Sequence, residues 1–130
     1  MGTFQSKAIG VGAFFLLILL SGFWLSRSGR PLNSMIFAIH KLIAVAVVIF
    51  LVVSVHRTNQ VAGLSPVAWI AAAVTALCFL STIATGGLLS INDEVPAAVL
   101  RMHQITPYLT VLSTVWLLWQ ISPAQQSLAQ

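Results

Sequence analysis

In a chain of 130 residues, 58% are hydrophobic and only 6% are charged. A soluble domain carries roughly a quarter charged residues, so the composition excludes a water-exposed globular fold and points to an integral membrane protein. The formal charge of +4 comes from Lys7, Arg27, Arg30, Lys41, Arg57 and Arg101 set against two acids; these cations are scattered, and nucleic-acid binding needs a basic stripe.

An α-helix needs about 20 apolar residues to cross the hydrocarbon, and four segments qualify. The first, at 8–26, follows the start MGTFQSK. That start fits a loose myristoylation pattern, but one acyl chain adds little to a protein already held by several helices. The segment is also longer than the roughly 7–15 apolar residues of a signal peptide. WLSRSGR offers no small-x-small cleavage site, so the segment is expected to stay as a span.

The break SRSGRP precedes the second span, 32–55, which carries His40 and Lys41 in IHKLIAV. The polar stretch HRTNQVAGLSP holds His56 and leads to the third span, 66–90. Cys78 lies alone within that span and cannot form an internal disulfide. INDEVP holds both acids and precedes the fourth span, 96–119, with Arg101, His103 and Pro107.

Pro66 and Pro96 suit a first helical turn, where a missing N–H does no harm, and Asn92 or Asp93 is expected to cap the fourth helix. Trp24, Trp69, Trp116 and Trp119 lie toward helix ends, as in an interfacial aromatic belt. The predicted fold class is all-α, an integral membrane four-helix bundle built from two similar helical hairpins in a single transmembrane domain.

The likeness of the hairpins rests on SGFWLS (21–26) and TGGLLS (85–90), which share the pattern [ST]-G-x-x-L-S. After each come a polar turn, a proline and then a histidine. The interval from Ser26 to His40 nearly equals that from Ser90 to His103. Hairpins with an even number of spans are related by an axis along the membrane normal. At 1.5 Å per residue, His40 lies roughly 13 Å inside Pro31 and His103 roughly 10 Å inside Pro96, so nearly equal depths are expected. Gly22, Gly86 and Gly87 reach a similar level.

Intramembrane ionisable residues are functional candidates by default, and neutral imidazole is the commonest protein ligand to metals. Paired axial histidines hold haem iron in electron carriers, and bundles build such sites from facing helices. Glycines at 22, 86 and 87 would clear space for a flat ring, and Ser21 and Thr85 would bond to propionates or to backbone.

On these residues, SGFWLS…IHK and TGGLLS…RMHQ, the chain resembles small four-helix membrane b-type cytochromes. The resemblance covers the whole length in architecture. It implies one haem b with His40 and His103 as axial ligands, and electron transfer with quinone or other redox subunits in a respiratory chain. Many members hold two stacked haems with two histidine pairs. Here a further histidine, His56, follows at the end of the second span, but the residue at the corresponding place in the fourth is Trp119, which puts a second haem in doubt.

Other readings of the same residues stay open. The histidines would serve a cofactor-free structural subunit as interhelical hydrogen-bonding groups, or each would ligate its own (bacterio)chlorophyll magnesium. His56 reads as an interfacial helix-end residue. Lys41 can snorkel to the headgroups or contact a propionate, whereas Arg101 is about 200° round the helix from His103. Pro107 removes the N–H that would bond the His103 carbonyl, a loss that Thr106 or Thr110 is expected to offset.

Asp93 and Glu94 lie in a loop and no Ser–His–Asp set is evident, so an electron carrier or subunit is expected rather than an enzyme on its own. No acid lies mid-span to couple ions as a transporter would. Arg27, Arg30, Lys41 and Arg101 outnumber Lys7 and Arg57 on the other side, so the positive-inside rule places both termini outside, with a bacterial inner membrane as the expected location.

Overall fold

A computed structural model describes residues 3–126, which form four α-helices and no strand: α1 Thr3–Ser28, α2 Ser34–Ala62, α3 Pro66–Ile91 and α4 Ala97–Gln126. The chain divides into two compact units, Met1–Val61 and Ala62–Gln130. The first is the α1–α2 hairpin and the second is essentially the α3–α4 hairpin. In each, a 26-residue helix is joined by a connector (29–33 or 92–96) to a longer one of 29 or 30 residues.

The ends of the helices follow from local chemistry. Gly29 takes φ of 69° after α1 and Gly63 takes 71° after α2, the left-handed conformation that ends a helix and that glycine adopts without strain. The second helix starts beyond Pro31, at Ser34, because Asn33 is its cap: Asn33 Oδ1 accepts from the N–H groups of Met35 at 3.1 Å and Ile36 at 3.2 Å. Pro66 is at the start of α3, where the Ser65 side chain accepts from the Ala68 N–H at 3.1 Å. Asn92, expected to open α4, instead closes α3, since both its backbone N–H and its Nδ2 donate to the Leu88 carbonyl. The carbonyl of Pro96 receives the N–H groups of Val99 and Leu100.

Three helices, α1, α2 and α3, are long and apolar enough to cross a membrane. They leave large apolar side chains exposed, among them Leu16, Leu42 and Leu77, a surface that water would not tolerate and lipid would cover. The fourth helix is longer still, but Arg101, His103, Gln104, three threonines and Ser113 lower its hydropathy. It runs on through Pro107 and Pro123. Neither Thr106 nor Thr110 turns to the His103 carbonyl: Thr106 donates to the Met102 carbonyl and Thr110 to that of Thr106.

The buried positions repeat between the units. On α2, Val47, Leu51, Ser54 and Thr58 are buried. On α4 the buried set includes Thr110, Thr114, Leu117 and Ile121. Each of these four stands as far beyond His103 as its counterpart on α2 stands beyond His40. Offsets of this kind trace one helix face, so each histidine begins the buried stripe of its helix. Their helices also start at matched distances: each histidine is the seventh residue, about 9 Å in. Phe15 and Phe79, both buried, extend the likeness of α1 to α3 beyond the [ST]-G motif.

In the second unit α3 packs against α4 through hydroxyl-bearing residues. Thr75, Thr82 and Thr85 satisfy their hydroxyls on carbonyls four residues back, at 2.8 Å each. Thr82 and Thr110 meet across the seam at 3.3 Å. Among the described residues, Thr114 Oγ1 is buried without a hydrogen-bond partner.

Candidate functional site

Each histidine is held within its own hairpin by the same device. In the first unit, His40 Nδ1 lies 2.9 Å from Ser21 Oγ and 3.1 Å from the Ile18 carbonyl. In the second, His103 Nδ1 lies 3.1 Å from Thr85 Oγ1 and 3.1 Å from the Thr82 carbonyl. In both, the hydroxyl is one helical turn beyond the carbonyl along the preceding helix.

This arrangement decides where the proton sits on the neutral ring. A carbonyl can only accept. The Ser21 hydroxyl donates its one proton to the Ile18 carbonyl at 3.0 Å, and that of Thr85 is directed to the Ser81 carbonyl at 2.8 Å. Both hydroxyl oxygens are therefore left as acceptors, and Nδ1 must be the donor to the pair. The Nδ1–H form leaves a lone pair on Nε2, which is the state in which imidazole binds a metal through that nitrogen.

The glycines complete the fit. A Cβ placed on Gly22 would stand 3.2 Å from His40 Cε1, and one on Gly86 only 2.8 Å from His103 Cε1. The room these two provide is thus occupied by the imidazoles themselves, each ring lying against the backbone of the neighbouring helix. A Cβ on Gly87 would meet nothing within 4 Å.

The remaining candidates lie as follows. Lys41 Nζ stands 4.0 Å over the ring of Phe37, one turn back toward the start of α2, a cation–π contact that draws it toward the helix end. Arg27 stands 5.0 Å over Phe23 in the same way. Arg101 and His56 are exposed. His56 is about 160° round α2 from His40, off the buried stripe, where position 54 is a serine and the equivalent on α4 is Leu117.

Comparison with known proteins returns no matching family, no matching curated relative and no matching solved structure. The reading of the site therefore rests on its own chemistry. Among the described residues, no three of His, Cys, Asp or Glu gather as they would around a bare metal ion. What the chain supplies is two separate, oriented imidazoles of one tautomer.

The residues not foreseen from sequence are Ile18 and Thr82, because they act through backbone oxygen. Their one visible signal is position, a turn before the Ser-Gly and Thr-Gly pairs.

Proposed function

We propose that this is a membrane electron-transfer protein in which His40 and His103 are the axial ligands of one low-spin b-type haem. The observation that carries the reading is the duplicated clamp. Two histidines, each seventh in its helix, have Nδ1 tied to a carbonyl and a hydroxyl, in the tautomer that keeps the lone pair on Nε2. A metal-bound histidine is almost always oriented through its second nitrogen in this way.

In this reading all four helices span the bilayer, the less apolar α4 included. The haem would supply one-electron transfer, and ligation on both faces leaves no open position for oxygen. Ser21 and Thr85 hold the rings, Gly22 and Gly86 let them lie close, and Lys41 is the cation nearest in sequence for a propionate. Quinone or another redox subunit is the proposed partner, and a bacterial inner membrane with termini outside the proposed setting.

The test is the visible spectrum of the purified protein, oxidised and then reduced with dithionite. A sharp reduced band of low-spin b type, lost in both His40→Ala and His103→Ala and kept in His56→Ala, supports the reading. A colourless protein at normal yield overturns it. Red-absorbing magnesium pigment would assign each histidine its own macrocycle instead.

A further inference from the structure

The second unit carries hydroxyls in its interior where the first carries hydrocarbon. By the intervals that match the two hairpins, Thr82, Thr110 and Thr114 answer to Ile18, Val47 and Leu51. Val47 and Leu51 are buried in the first unit, as Thr110 and Thr114 are in the second. Valine has the same branched shape as threonine, so packing alone does not call for these hydroxyls. Thr110 and Thr114 lie roughly 10 and 16 Å beyond His103 along α4, in the middle of that helix.

A hydroxyl has one proton to give and two lone pairs to fill. Thr82 gives its proton to the Cys78 carbonyl and Thr110 to that of Thr106, each at 2.8 Å. Their oxygens meet at 3.3 Å, two acceptors whose own protons are already engaged. Thr114 has the opposite lack. The residue is 1% exposed, and its Oγ1 is enclosed with no hydrogen-bond partner among the described residues. The Thr110 carbonyl, one turn back, takes the Ser113 hydroxyl instead, at 3.1 Å. A buried donor left unsatisfied is costly. Residues four apart on a helix have Cβ atoms about 5–6 Å apart, a gap that one small molecule with a hydrogen bond on each side can bridge.

We propose that a single water molecule is bound inside the second unit, accepting the Thr114 hydroxyl proton and donating to the oxygens of Thr110 and Thr82. Three hydrogen bonds are the usual complement of an internal water. The site needs no haem and stands apart from the function proposed above. It ties α3 to α4 at mid-helix through Thr82, the residue whose carbonyl also holds His103.

The experiment is NMR of the full-length protein in lipid nanodiscs, with threonine, valine and leucine methyl groups labelled, reading magnetisation transfer from water to each methyl. The Thr110 and Thr114 methyls should show transfer, while those of Val47 and Leu51, at the matched places of the other hairpin, should show none. Thr114→Val keeps the shape, removes the hydroxyl and should abolish transfer to Thr110. Thr114→Ser keeps the hydroxyl and should preserve it. Absence of transfer at Thr110 and Thr114 in the native chain would overturn the proposal. So would equal transfer at Val47 and Leu51, the mark of general water entry. Transfer at Thr110 that survives Thr114→Val would overturn it too, since exchange of that residue's own hydroxyl proton would then account for the signal.

Discussion

Replacing Gly86 with alanine tests whether the glycines exist for the imidazoles. The new Cβ would stand 2.8 Å from His103 Cε1, well inside the 3.4 Å at which ordinary contact begins. If the ring retreats by the difference, both of its 3.1 Å contacts to α3 open to about 3.7 Å, beyond hydrogen-bonding range. Each lost bond is worth about 0.5–1.5 kcal/mol, while alanine returns about 1 kcal/mol of helix propensity. The fold should therefore survive and the ligand should lose its orientation. Loss of an orienting partner lowers metal affinity about 10–100-fold. At Gly22 the Cβ would stand 3.2 Å from the ring, a contact that a slight shift of the imidazole relieves, so Gly22→Ala should change little. Haem titration of the apoprotein measures the affinity, and 15N spectra of the histidine rings report the Nδ1–H form directly. Gly86→Ala binding haem as well as the native chain, with the tautomer intact, would refute the reasoning.

Thr85→Val keeps the shape and removes the hydroxyl acceptor, so haem affinity should fall about tenfold and Thr85→Ser should restore it; the same titration decides. Ser54 and Leu117 stand at equal intervals beyond the two histidines, about 40° round from them on the buried stripes. Ser54→His with Leu117→His should raise the haem content of the purified protein from one to two per chain, measured by pyridine haemochrome; content unchanged would count against the matched registers. Asn33→Ala should destabilise α2 by about 0.5–2 kcal/mol, read as earlier loss of helicity on thermal unfolding. An unchanged melting profile would argue against its capping role.

Hydropathy was enough to find the helices, because spans and breaks differ so sharply in polarity that Pro66, INDEVP and SRSGRP could be read directly. Their ends were less legible. Asn33 and Asn92 show why: asparagine caps either end of a helix, and whether it takes N–H groups ahead of it or a carbonyl behind it depends on the direction of the turn. The fourth helix reached Gln126, past the apolar stretch, with Ile121 and Ser122 still buried beyond Trp119. At the site, the histidines and the Ser-Gly and Thr-Gly pairs were visible as residue types. The carbonyls of Ile18 and Thr82 were not, because every residue has a carbonyl and only the fold decides which one an imidazole reaches.

Because each imidazole is fixed by its own hairpin, the order of biosynthesis acquires meaning. Once the first hairpin is in the bilayer, His40 already has its ring orientation and tautomer, before the second histidine has been made. The setting of each imidazole is then a local event, completed once in each hairpin. A chain cut in the connector at 63–65 and expressed as two pieces would be expected to deliver both imidazoles ready-set, so that cofactor capture becomes a question of how two finished parts meet.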